Sequence, residues 1–241
     1  MLETHEIVKN FGGLTAVNHV SMQVKEGEIC GLIGPNGAGK TTFLNCIAGT
    51  YKPTSGVARF AGEDLTGASA EVMCHKGMAR TFQIPLPFPR LTVLENVMVG
   101  AVFGAHQRHA QPPQQRAREA LEFVNFPLPL DTTANCLNAV QLKRLDLARA
   151  LACGPKLLLL DELASGLTPG ELEDMMTLIR KIRDRGTTIV VVEHIMRVIK
   201  GICDKIVVLQ YGTKIAEDTT AAVLTNPQVI AAYLGESALG H

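Results

Sequence analysis

Polar and apolar positions alternate early in the chain and take up a helical period in its middle, before a series of unbroken apolar runs. Residues 2–9 and 19–24 alternate as half-buried strands do, and 57–60 is a third short β candidate. Between the first two lies Asn10-Phe11-Gly12-Gly13, a turn with an aromatic at its tip. Residues 28–33 read as a short apolar strand and 41–48 as a helix, followed by a turn over 51–56 that Pro53 and Gly56 impose. Arg80-Thr81-Phe82-Gln83 ends a β-like stretch, and prolines at 85, 87 and 89 then exclude helix or central strand, which marks a hinge-like boundary.

From Leu91 the period becomes helical, with Thr92 as a cap and Val93, Leu94, Val97 and Met98 on one face. A polar loop over 104–115 leads to a helix over 116–126. A further helix runs from about 138 to 153, with Leu142, Leu145, Ala148, Leu151 and Ala152 on one face and Lys143, Arg144 and Arg149 toward the other. The apolar run 156–160 is typical of a parallel strand buried on both faces. An amphipathic helix over 171–185, strands over 187–192 and 205–209 and a helix over 227–234 complete the pattern. The expected organisation is one α/β domain over 1–241: a core of 1–90 and 153–241 that includes a small antiparallel β portion, with a helical lobe, 91–152, inserted.

The strand over 28–33 runs into Gly34-Pro35-Asn36-Gly37-Ala38-Gly39-Lys40-Thr41, which fits the phosphate-loop pattern. Glycines let such a loop curl and aim successive N–H groups inward, making an anion nest that feeds the positive end of the next helix. Lys40 would add a point charge for β- and γ-phosphates and Thr41 a hydroxyl for Mg²⁺. Asp161 and Glu162 close a buried strand at the edge where open α/β sheets bind ligands, and His194 closes the strand over 187–192. Asp161 suits binding of Mg²⁺, Glu162 could deprotonate an attacking water, and His194 could bond the γ-phosphate. Read singly, the acids are equally caps of the next turn, and the histidine an ordinary surface or core residue. Gln83 either ligates Mg²⁺ or a water or is a solvated loop residue, and Phe11 either stacks on a base or plugs the sheet edge.

Composition narrows the classes. A 241-residue chain that is 46% hydrophobic can bury a large core without staples. Its formal net charge is zero, so no basic field argues for nucleic acid or direct lipid binding. Six cysteines, none in a C-x-x-C pair, argue against zinc and redox motifs and for reduced thiols. The first residues are charged and polar, and no apolar run approaches the ~18 residues of a membrane span. The expected location is cytoplasmic, or peripheral on the cytoplasmic side.

Along essentially its whole length the sequence resembles the ATP-binding-cassette (ABC) ATPases. The phosphate loop at 34–41, Gln83 as the Q-loop glutamine, residues 157–162 as Walker B with the catalytic glutamate, and His194 as the switch histidine match in order and spacing. The resemblance implies a P-loop NTPase core of ABC type. ATP would be held by Phe11, Val17, residues 34–40, Thr41, Thr42 and Gln83, with Phe11 stacking on adenine. Across a dimer, Asn138, Ala139, Val140 and Gln141 would reach the other nucleotide. Mg²⁺ would sit at Thr41, Gln83 and Asp161, and Glu162, His194 and Lys40 would be catalytic. Implied partners are a second cassette and integral permease subunits, with the chain peripheral at the cytoplasmic face of the inner membrane; the departures at 137–141 favour a heterodimer over a homodimer.

Within the family, residues 11–17, 80–83, 91–97 and Ala232-Tyr233-Leu234-Gly235-Glu236 resemble the ATPases of branched-chain amino-acid uptake. Cassettes for urea, amides or lipopolysaccharide, a soluble ABC protein of translation or DNA repair, and a hydrolysis-poor regulatory subunit are the alternatives. Three departures stand out. Leu137-Asn138-Ala139-Val140-Gln141 replaces the Leu-Ser-Gly-Gly-Gln signature, Leu163 stands where the family usually has proline, and Thr168 stands where it usually has aspartate.

Overall fold

The computed structural model describes residues 1–105 and 111–234. Strands β1 (Leu2–Phe11) and β2 (Leu14–Val24) form a hairpin closed by Gly12 and Gly13, followed by β3 (Ile29–Ile33) and α1 (Lys40–Ile47). Next come β4 (Ser55–Phe60), β5 (Glu63–Asp64), α2 (Ala70–Lys76) and β6 (Met78–Arg80), then three helices, α3 (Val93–Phe103), α4 (Pro113–Phe123) and α5 (Ala139–Ala152). The second half runs β7 (Leu157–Asp161), α6 (Pro169–Asp184), β8 (Thr188–Val192), α7 (Met196–Ile202), β9 (Lys205–Gln210), β10 (Thr213–Thr219), α8 (Thr220–Leu224) and α9 (Pro227–Leu234).

Two sheets result. An antiparallel one has the order β2-β1-β4-β5, and a larger one the order β10-β9-β3-β8-β7-β6, parallel except for its edge strand β10. Strands β3, β7 and β8 are buried at every position and largely apolar because both faces are covered. Ile29, Leu158, Leu160, Ile189, Val191, Ile206 and Val208 join a core with the helices, while Cys30, Leu32, Leu157, Leu159, Val190, Val192, Val207 and Leu209 join a second core with the antiparallel sheet and α1. Burial pushes the thiols of Cys30 and Cys46 up, to about 12 and about 11.

Several boundaries differ from the pattern reading, each for a local reason. β2 begins at Leu14 because the hairpin carries register shifts, with Glu6 and His19 at φ of 50° and 52°, and a bulge breaks the period of two that alternation depends on. α4 starts at Pro113, since proline lacks only an N–H that a helix start leaves unpaired anyway. Of the loop expected over 104–115, residues 106–110 lie outside the described ones. α2, α7, α8 and β5 are too short to show a period, and β10 is a half-buried edge strand whose Lys214 and Glu217 pair with each other.

The three middle helices pack on one another, α3 against α4 and α5. Thr92 caps α3 reciprocally with Glu95. Buried Asn96 then pins the preceding turn, accepting the Phe88 N–H at 2.8 Å and donating to the Phe88, Leu91 and Thr92 carbonyls. α3 and α5 touch at Gly100, where a Cβ would stand 2.2 Å from the Arg149 carbonyl oxygen. Gly100→Ala should therefore lower the unfolding free energy by about 1–3 kcal/mol in urea melts, the usual cost of overpacking. Gly170→Ala, on α6 with nothing within 4 Å, is the control and should leave stability unchanged or slightly raised.

Candidate functional site

Four neighbouring parallel strands deliver chemistry to one edge of the large sheet. In the order β3-β8-β7-β6, their C-terminal ends lead to the glycine-rich loop, His194, Asp161-Glu162 and Gln83. The loop is shaped by close approaches. Gly34, at φ 150°, lies so near β9 that a Cβ would meet the Leu209 carbonyl oxygen at 2.0 Å, and Gly39, at φ 93°, would meet that of Ala16 at 2.4 Å. Asn36 and Gly37 are exposed, Pro35 is half-buried and Ala38 is buried. Tyr233 of α9 reaches the same loop: burial raises the pKa of its hydroxyl, and the Gly34 backbone opposes the rise.

α1 leaves this loop with neither a side-chain cap nor an acidic residue in its first turn, whereas α3, α5 and α6 each carry a capping box. Its first N–H groups and its positive end therefore face the loop without a neutralising side chain. The Lys40 ammonium donates to the Gly34 and Pro35 carbonyls at 2.7 and 2.9 Å. Burial lowers its pKa, opposed by Glu162 and Asp161. Thr41 is exposed and Thr42 half-buried on the same turn.

Glu162 is the meeting point. Its backbone takes the left-handed region at φ 47°, held by its N–H to the Val192 carbonyl at 2.9 Å. One carboxylate oxygen accepts from the Gln83 amide and the other lies 2.7 Å from His194 Nε2. Asp161 points the opposite way, buried and paired at 2.7 Å with Arg80, whose guanidinium also bonds Asn45 of α1. Glu162, Gln83 and His194 are thus brought together, while Asp161 is tied to α1 through Arg80.

The remaining residues named from sequence lie elsewhere. Phe11 is 44% exposed, edge-on to Tyr51 at 5.4 Å, with the Lys9 ammonium over both rings. Val17 is fully buried next to Ala16. Asn138 caps α5, accepting the Gln141 N–H at 2.9 Å while the Gln141 side chain accepts the Asn138 N–H at 2.9 Å. Ala139 is exposed and Val140 half-buried. Thr168, one of the departures, caps α6 in the same reciprocal way with Glu171.

Lys143 does not face outward as the amphipathic pattern of α5 suggested. It is 8% exposed, and its ammonium donates to the Leu163 and Ser165 carbonyls. Asp146 accepts the Phe82 N–H at 3.0 Å and pairs with Arg149, which donates to the Leu86 carbonyl at 3.0 Å. Burial raises the Asp146 carboxyl, and Arg149 opposes the rise. The pattern along the chain did not place these three charges, or Arg80 and Glu193, in the site. The signal available was the spacing of 143, 146 and 149 along one helical stripe.

The arrangement fits a Mg²⁺-nucleotide. Among the described residues, no cluster of three His, Cys, Asp or Glu side chains could hold a metal alone. Mg²⁺ characteristically takes one or two protein oxygens and completes its shell with phosphates and water. The Thr41 hydroxyl, the Asp161 carboxylate and the Gln83 side-chain carbonyl, unused in its bond to Glu162, are such oxygens.

Comparison with known proteins bears on the nucleotide and on the family. A family model described as ABC transporter matches residues 17–165, and one described as Branched-chain amino acid ATP-binding cassette transporter matches residues 213–238. The chain is 38% identical, over 98% of each sequence, to the high-affinity branched-chain amino acid transport ATP-binding protein BraF of Pseudomonas aeruginosa. It resembles a nucleotide-free ATP-binding cassette from an ABC transporter at a TM-score of 0.89 and 31% identity, over 98% of this chain and 99% of that one. It also resembles the dimeric post-hydrolysis state of the cassette MJ0796 bound to ADP and Pi, at a TM-score of 0.81 and 28% identity, over 91% and 99% of the two chains.

Two substitutions separate binding from chemistry here. Lys40→Ala removes a charge-assisted phosphate contact worth roughly 1.5–3 kcal/mol, so nucleotide titration should give a Kd about 10- to 150-fold weaker. Glu162→Gln should keep the parental Kd and slow hydrolysis, because the phosphate cradle is untouched. Parental affinity in the first variant, or parental turnover in the second, would contradict the assignment.

Proposed function

The chain belongs to the ABC transporter family, as an ATP-binding, ATP-hydrolysing cassette, and from that premise we propose that it powers branched-chain amino-acid uptake through a membrane permease. The observation that carries the mechanism is the convergence of Gln83, from the end of β6, and His194, from the end of β8, on the one carboxylate of Glu162 beside the phosphate loop. Bound Mg²⁺-ATP supplies the transferable γ-phosphoryl group and the cation that offsets its charge. Lys40 and the α1 N–H groups hold the phosphates. Glu162 accepts the proton of the attacking water on a lone pair that Gln83 and His194 leave free, and those two fix its direction. Thr41, Asp161 and Gln83 would hold the metal, and Phe11 would stack on the base.

The permease docks beside the Q-loop, with residues 84–100 forming one wall of its groove. Phe82, Ile84, Leu86, Phe88 and Phe103 are exposed there, and Phe82, Phe88 and Phe103 line a cavity of about 350 Å³ that reaches between α2 and α5. The chain attaches through that partner to the cytoplasmic face of the membrane; among the described residues no helix is long and apolar enough to cross one.

The second cassette of the dimer is a different chain. The Asn138 side chain is committed to the first turn of its own helix, and Ala139 and β-branched Val140 put side chains where glycines would let backbone approach phosphate. Each lost phosphate contact costs on the order of 1.5–3 kcal/mol. A homodimer has that defect at both sites, whereas a heterodimer has it at one. This chain then supplies the working Walker face and its partner the working signature.

One preparation tests both solute and asymmetry. In the reconstituted transporter, leucine, isoleucine or valine presented on a binding protein should stimulate ATP hydrolysis, and urea, amides and lipopolysaccharide should not. Glu162→Gln should remove most of that activity and the matching change in the partner cassette much less. Stimulation by urea alone overturns the solute, and equal losses overturn the asymmetry.

A further inference from the structure

The three residues after Glu162 are gripped from two sides by buried charges of opposite sign. From α5, the Lys143 ammonium donates to the Leu163 carbonyl at 2.9 Å and to that of Ser165. From the end of β8, Glu193, 2% exposed and adjacent to His194, accepts the Ala164 N–H at 2.7 Å. Burial lowers the pKa of Lys143 and raises that of Glu193, and each opposes the shift in the other. The groups facing Glu193 are thus Lys143, Glu162 and the backbone N–H groups of Ala164 and His194. A side chain needed only to fill this space would be apolar, because two desolvated charges are an expensive way to pack a loop. What the charges add is direction: an ammonium that holds two carbonyls and a carboxylate that holds the amide between them leave the loop one path.

We propose that Lys143 and Glu193 are a charge-matched pair of positioning residues that hold residues 163–165, and through them Glu162 and His194, so that hydrolysis depends on where α5 sits against the sheet. The proposal rests on Glu162 accepting the proton of the attacking water. α5 also begins with residues 138–141, so the helix that meets the opposite nucleotide is the helix whose Lys143 sets the loop after Glu162 in this site. The pair bonds the loop's backbone, so its effect falls on turnover and leaves the phosphate cradle as it is.

The test measures kcat, ATP Kd and melting temperature of the full chain in its transporter complex, for Lys143→Met, Lys143→Arg, Glu193→Gln and the double variant Lys143→Met/Glu193→Gln, with Glu162→Gln alongside. Lys143→Met should lower kcat about tenfold or more with Kd within about twofold, the pattern of a lost transition-state interaction. Lys143→Arg should recover most of the rate. The double variant should exceed Lys143→Met, because it leaves no unpaired buried charge. Parental kcat in Lys143→Met overturns the proposal, as does a parallel loss of affinity and melting temperature that arginine fails to rescue. If Lys143→Met does not fold, the charge-neutral double variant decides: reduced kcat at parental Kd supports the pair and parental kcat overturns it. Parental turnover in Glu162→Gln would instead overturn the proton-acceptor reading itself.

Discussion

The site depends on Glu162 holding a backbone conformation that glutamate seldom takes. At φ 47° a residue with a Cβ sits at a cost of about 1–2 kcal/mol, and here it does so at the end of a fully buried strand. What offsets that cost comes from both neighbours in the sheet: the Val192 carbonyl of β8 takes its N–H, and Gln83 and His194 take its two carboxylate oxygens. The turn also separates two adjacent acids. Asp161 points back toward Arg80 and α1, and Glu162 points across the sheet edge, so the two carboxylates do not compete for one place.

α5 extends that constraint into the helical layer. Its Asp146 and Arg149 hold the backbone of the Q-loop at Phe82 and Leu86, and its Lys143 holds the loop after Glu162. The Q-loop, which carries Gln83, and the loop that follows Glu162 are therefore tied to one helix. Desolvation offsets much of what buried pairs gain from attraction, so the consequence of Arg80–Asp161 and Arg149–Asp146 is mainly geometric. Breaking one of them leaves a charge without its partner, which makes the permitted positions of the loops few and distinct.

Much of this was legible in the sequence because it is local. A glycine-rich loop between strand and helix, acids closing an apolar run and a histidine closing the next are short patterns whose chemistry follows from residue type. Thr92 as a cap, and the strands of the parallel sheet, were legible for the same reason. The assembly of those pieces was not. That Gln83 and His194 share one carboxylate follows from the strand order β8-β7-β6, which no local pattern carries. Lys143 was read as solvent-facing because amphipathicity counts charge as outward, and a lysine whose partners are backbone carbonyls 20 and 22 residues away leaves no trace in that count. Bulges hid the start of β2, and short elements such as α2 and α7 owe their form to tertiary packing over periodicity.

The central claim is that Gln83 and His194 act through a single carboxylate, and a double-mutant cycle measures it directly. Single-turnover ATP hydrolysis would be followed in the parent, Gln83→Ala, His194→Ala and the double variant, at saturating Mg²⁺-ATP. If both residues work by fixing Glu162, the double variant should hydrolyse ATP about as slowly as the slower single variant, a strongly non-additive cycle. Rate losses that multiply, so that the two free-energy changes simply add, would mean that the residues act on separate groups and would contradict the account.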